Sequence, residues 1–282
     1  MNDNILKNIW IDLDIFNEQV TGIISAKGVT GGLDSAYIIW QEANNTILLS
    51  DGNTEKLNQG FLSLKRAFNV ASLELKKKIA VDRIKHSFKE KANDFLGDLE
   101  YFQITKTLTL NKYLNLRNLI EHRNELPPSK DNCLLLSEYI WNYIRNVENI
   151  LYNFTNYVEF HIGESKNNKI IFSYSVEESV KGESIMYFPH LYLSGLLETD
   201  YISFVKRENS VKVDNIKLLN KFELEKIHEF KYDSFCIDNL FVLAFRGEII
   251  DQDILARYVK YLILPEYGGL DEETIKSVFR EI

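Results

Sequence analysis

Six consecutive residues, Arg117-Asn118-Leu119-Ile120-Glu121-His122, bring an arginine, an amide and a histidine close together along the chain. Histidine titrates near neutrality and can give or take a proton. Arginine stays charged and grips phosphate oxygens through two parallel hydrogen bonds. An asparagine amide can orient a phosphate or an imidazole. This set suits attack of an RNA 2′-hydroxyl on the adjacent phosphate. That step needs a base for the hydroxyl proton, an acid for the leaving 5′-oxygen and a cation for the crowded charge. One helix supplies only one histidine, so two copies facing each other across a two-fold axis would supply both acid and base.

The element that must hold these residues is a helix over about 109–125, which has to stop before Pro127-Pro128. At about 100° per residue, Asn118 and His122 share one face, and Leu116 and Ile120 lie about 160° away. With Leu116 and Ile120 packed inward, Asn118 and His122 point outward together. The plain alternative is a surface helix on which Arg117 pairs with Glu121 at i,i+4 and His122 is incidental. Upstream, Leu57, Phe61, Leu64, Phe68, Ala71 and Leu75 repeat at threes and fours as one helix face. Asn53 or Thr54 is its expected N-cap, and the pattern runs on through Val81, Ile84 and Phe88, with Gly97 as a break. Downstream, Leu136, Ile140, Tyr143, Val147, Ile150, Phe154 and Val158 predict a long last helix, from Asp131 to near Gly163.

Arg117, Asn118 and His122, with four residues between the arginine and the histidine, resemble the R-x4–6-H motif of the HEPN superfamily. A polar residue often follows the arginine directly in that motif. The resemblance spans the helical region, about 55–162, and implies a helical bundle that dimerises. It further implies a metal-independent endoribonuclease, needing no cofactor, that acts as a toxin or in defence against phage and is held by an antitoxin or regulatory protein. In that setting His122 is the acid or base, Arg117 stabilises the phosphorane and Asn118 positions it. The alternative is a non-catalytic HEPN-like dimerisation or adaptor protein.

Charge sharpens the RNA expectation. The chain of 282 residues has a formal charge of −8, yet residues 55–91 alone carry +6. Lys76, Lys77, Lys78, Arg83 and Lys85 form a strip that could guide RNA, against the plain reading of a solvated helix face. At 45% hydrophobic residues the composition supports a sizeable core and excludes a disordered, collagenous or disulfide-built chain. The segment Met1 to Trp10 is not a secretion signal, and no apolar run is long enough to cross a membrane. With Cys133 and Cys236 as separate reduced thiols, a cytoplasmic setting is expected.

The expected fold class is α+β. Residues 1–54 are read as a segment of mixed structure packed on a bundle, with Asp34 to Ala43 as a short helix and Thr46 to Ser50 as a short strand. Residues 55–163 are the bundle, and 168–282 a mixed regulatory or partner-binding domain. In that last part Lys169–Val176 reads as a strand, Tyr201–Val205 and Val211–Val213 as a hairpin, Leu240–Phe245 as a buried run and 251–263 as a helix.

Thr30-Gly31-Gly32-Leu33-Asp34-Ser35 resembles the S-G-G-x-D-S loop of ATP pyrophosphatases, with Thr in place of the first Ser. The stretch before it is a poor buried parallel strand, so a glycine turn ahead of a helix is the simpler reading. His86, His161, His190 and His228 stand singly, without metal-ligand spacing. Tyr139, Trp141, Tyr143, Tyr152 and Tyr157 read as core or dimer contacts rather than base-stacking groups.

Overall fold

Asn53 caps the longest helix. Its side chain accepts a 3.0 Å hydrogen bond from the Lys56 amide, satisfying one of the donors that a helix start leaves unpaired. The computed structural model in which this is seen describes residues 5–12, 15, 20–27, 33–86, 95–114, 126–162, 168–181, 184–206, 210–218 and 242–263. The fold is α+β, and the chain divides into two compact units. One is Val29–Asn153, and the other joins Met1–Gly28 to Phe154–Ile282.

The first unit is helical. It contains α1 (Asp34–Leu48), α2 (Thr54–Ile79), α3 (Phe95–Tyr101), a helical stretch at 108–114 (α4) and α5 (Lys130–Asn153). The stripe expected on α2 is its buried face, with Phe61, Leu64, Phe68, Ala71 and Leu75 all in the core. That face meets the buried Ile140, Tyr143 and Val147 side of α5. The Phe68 and Tyr143 rings meet at a tilt with centroids 4.6 Å apart, and Ser72 and Tyr143 share a buried 2.9 Å hydrogen bond. The helix α1 closes on both. A Cβ on Gly60 of α2 would lie 2.5 Å from Ile47 Cγ1 of α1, so only glycine allows this approach. Trp40 Nε1 donates to the Ser137 carbonyl at 2.8 Å, and Ser137 Oγ donates to Asn44 Oδ1 at 2.8 Å.

Four helix assignments differ from expectation. The helix α2 does not run through Val81 and Ile84, because Ala80 takes a left-handed conformation (φ 50°) and ends it. Val81 and Ile84 are still fully buried, as part of a 3-10 turn and an extended residue, so the apolar count was right and the geometry was not. Gly97 lies inside α3 rather than at a break. The helix α5 ends at Asn153, and Thr155–Ile162 is a strand. Past Asn153 the apolar spacing falls to two, with Val158 and Phe160 inward, which is a strand period. Thr46 to Leu48 is the last turn of α1 rather than part of a strand.

The second unit is an eight-stranded antiparallel sheet in the order β2-β3-β4-β5-β8-β7-β1-β6. Its strands are β1 (Ile5–Asp12), β2 (Val20–Lys27), β3 (Thr155–Ile162), β4 (Lys169–Lys181), β5 (Ser184–Glu198), β6 (Ile202–Ser203), β7 (Ser210–Leu218) and β8 (Val242–Glu248). The N-terminal segment therefore does not act as one piece with the helices. Its strands β1 and β2 pair with β7 and β3, so the helical unit is an insertion between strands of one sheet. Residues around 201–213 do not make a hairpin, because β1 lies between β6 and β7 and pairs with both. One sheet face is apolar. Phe160, Phe172, Leu193 and Phe245 are buried on it, and α6 (Gln252–Ile263) brings Tyr258 to 5.5 Å from Phe172. Among the described residues, no helix is long and apolar enough to cross a membrane.

Candidate functional site

Arg117, Asn118 and His122 lie outside the described residues, which resume at Leu126. What is described is the frame on either side. Leu110 on α4 is buried, and the Tyr113 ring lies 6.4 Å from Phe61. Leu110, Tyr113 and Leu114 border one small apolar cavity with Phe61, Phe68, Leu136 and Ile140. The stretch leading into the motif is thus anchored on α2 and α5. Beyond it, Cys133 at the start of α5 is fully buried, and burial pushes its thiol up to about 11.

The basic strip divides in two. Lys76 Nζ lies 3.4 Å from Asp82 and 4.1 Å from the Phe95 ring centroid, and Lys77 Nζ lies 2.7 Å from Glu74. Three lysines in the last turn also complement the negative end of the helix dipole, a structural reason for part of the cluster. Lys78, Arg83 and Lys85 are the exposed members, and the turn at Ala80 carries the last two off the helix axis.

A larger recess lies elsewhere on the helical unit. After α3, Gln103 takes a left-handed conformation (φ 55°), and residues 103–106 are laid along α5. Side-chain bonds to the main chain fix them there. Asn146 Nδ2 donates to the Ile104 carbonyl at 2.5 Å, and the Tyr139 hydroxyl donates to the Lys106 carbonyl and lies 2.8 Å from Thr105 Oγ1. Burial raises the Tyr139 hydroxyl above the usual phenol range, so it stays a donor at neutral pH. The cleft has a volume of about 640 Å³. Lys106, Asn142, Arg145 and Asn149 are exposed along it, and Trp141 forms part of its wall. The Arg145 guanidinium lies 5.2 Å from the centroid of the Trp141 ring.

Three histidines that stand singly in the sequence, His86, His161 and His190, are paired, and His228 lies outside the described residues. His86 Nε2 lies 3.0 Å from Asp98 Oδ1 with both side chains fully buried, and its ring stacks on Tyr101 at 4.0 Å. On the sheet face opposite α6, the buried Glu159 carboxylate takes Lys169 Nζ at 2.5 Å, His161 Nε2 at 2.7 Å and the Tyr157 hydroxyl. His190 Nδ1 lies 2.7 Å from Glu248 on the same face. The His161–Glu159 pair was within reach of the sequence, since i and i+2 of a strand share a face. Residues 12 apart (His86–Asp98) or 58 apart (His190–Glu248) leave no such trace. Among the described residues, no group of three or more His, Cys, Asp or Glu side chains is placed to hold a metal ion.

Gly31 and Gly32 lie outside the described residues. The strand before them, β2, is well formed but is an antiparallel edge strand, not the buried parallel strand that an adenylating loop follows. Tyr143 is a core residue as expected, Tyr152 is exposed, and Tyr157 stands on β3 rather than on the last helix. No family model, curated protein or solved structure matches the chain.

Proposed function

We propose that this chain is a metal-independent endoribonuclease of the HEPN type, with the helical unit as its catalytic part. What supports this reading is the motif itself, Arg117-Asn118-…-His122, which falls in the sequence between α4 and the long α5 of the helical unit. The exposed cations Lys78, Arg83 and Lys85 belong to the same unit and supply the attraction that a polyanion needs.

In the proposed step, a base takes the proton of the RNA 2′-hydroxyl and that oxygen bonds to the adjacent phosphorus. The bond from phosphorus to the 5′-oxygen breaks, and an acid protonates the leaving oxygen. The products are a 2′,3′-cyclic phosphate and a 5′-hydroxyl. His122 serves as acid or base, a second copy in a homodimer supplying the other histidine. Arg117 neutralises the charge on the phosphorane and Asn118 positions it. Cytoplasmic toxin or anti-phage activity, under control of an antitoxin or regulatory protein, is the setting we propose. The sheet unit takes the regulatory or partner-binding role.

The test is incubation of the purified chain and its His122→Ala variant with RNA in the presence of EDTA. Cleavage by the first and none by the second supports the reading. Equal cleavage by both refutes it.

A further inference from the structure

The exposed cations around the cleft beside α5 are not used by the proposed chemistry. Lys106 and Arg145 make no ion pair among the described residues, while the one carboxylate lining the cleft, Glu100, accepts a hydrogen bond from Thr107 Oγ1. The Arg145 guanidinium lies over the Trp141 ring, 5.2 Å from its centroid, and the side chain is exposed, so its N–H groups can meet a ligand. That presentation fits bidentate capture of a phosphate. Around the two cations stand the side-chain amides of Gln103, Asn142 and Asn149, each carrying a donor and an acceptor, the mixed set that the edges of nucleobases require. The cleft volume, about 640 Å³, falls within the range of about 300–1,000 Å³ typical of ligand sites.

We infer that this cleft binds a nucleotide unit of single-stranded RNA, with phosphate held by Arg145 and Lys106 and a base edge read by Gln103, Asn142 and Asn149. A single strand is required because bases in a duplex do not expose those edges to a side-chain cleft. The inference rests on the ribonuclease reading for the identity of the polymer, and it gives that enzyme a substrate-holding surface on α5.

The experiment uses the full chain and a fluorescein-labelled single-stranded RNA 12-mer carrying 2′-O-methyl groups throughout, which can be bound but not cleaved by 2′-hydroxyl attack. Anisotropy is followed over a series of salt concentrations for the wild type, for Lys106→Gln/Arg145→Gln and for His122→Ala. Both cleft side chains are exposed, so the double variant keeps the core intact. The expected result is at least tenfold weaker binding by the double variant, with the slope of log Kd against log salt reduced by about 1.4, or about 0.7 for each lost phosphate contact. Fluorescence of Trp141 gives a second readout, in which RNA quenches the wild type and Trp141→Phe abolishes that quench. Unchanged affinity and slope in the double variant overturn the site, as does a wild type that does not bind the 12-mer. Competition by 5′-AMP at an affinity matching the 12-mer overturns the polymer assignment in favour of a free nucleotide. The two readings can fail separately. Binding that depends on Arg145 in a chain that cleaves no RNA removes the nuclease and keeps the site. Cleavage that depends on His122 and ignores Lys106 and Arg145 does the reverse.

Discussion

The Ser72–Tyr143 hydrogen bond joins α2 to α5 at the centre of the helical unit and gives the fold its sharpest quantitative test. Tyr143 is 1% exposed and Ser72 5%. Tyr143→Phe keeps the ring against Phe68 and removes only the hydroxyl, so it loses the net worth of one hydrogen bond, about 0.5–1.5 kcal/mol. Ser72 is left with its own 2.8 Å bond to the Phe68 carbonyl, which limits the damage. Ser72→Ala is worse, because the Tyr143 hydroxyl is then buried without a partner, at about 1–3 kcal/mol. The double variant removes both polar groups and should cost less than the sum of the single changes, with a coupling of about 1 kcal/mol. Urea unfolding of the full chain, followed by far-ultraviolet circular dichroism, reads this directly. With a slope of about 1–3 kcal/mol per molar urea, a loss of 1 kcal/mol moves a midpoint by roughly 0.3–1 M. Strict additivity of the two single variants would refute the packing of α2 on α5 through this pair.

Gly60→Ala should destabilise the chain by about 1–3 kcal/mol despite the better helix propensity of alanine, since the new methyl meets buried Ile47 and the Ala43 carbonyl; a thermal midpoint at or above that of the wild type would contradict the α1–α2 approach. Glu159→Gln should cost about 3–5 kcal/mol in chemical unfolding, because the ammonium of Lys169, itself 3% exposed, loses its carboxylate; a neutral effect would show that the pair is not buried as described. Cys133 should resist iodoacetamide in a folded Cys236→Ser chain and react on denaturation, as fast native labelling would disprove its burial. Burial favours its neutral form in the folded state, so its contribution to stability is whole below about pH 9 and is lost as pH rises towards about 11.

Helical packing was the legible part of the fold. A period of 3.6 residues marked the buried faces of α2 and α5, and Asn53 marked a real start. Helix ends were less legible, since Ala80 stops α2 through a backbone conformation that its side chain does not advertise. At Asn153 the change of period spans too few residues to stand out against a seven-member stripe. Long-range pairing left no local mark. Nothing in Ile5–Asp12 says that it runs between strands some 200 residues later in the chain. The cleft escaped for a related reason. Gln103 and Lys106 come from one segment and Trp141 and Arg145 from another, and their meeting depends on the left-handed residue Gln103 and the bonds of Asn146 and Tyr139.

The central claim is that His122 moves a proton in RNA cleavage, and the most direct measurement is the chemistry of the RNA ends. Wild-type chain, incubated with RNA and EDTA, should leave 2′,3′-cyclic phosphate and 5′-hydroxyl termini, identified by mass spectrometry, and His122→Ala should leave the RNA intact while eluting as the same oligomer. Intact RNA with the wild type, or identical cleavage by both proteins, would contradict the account.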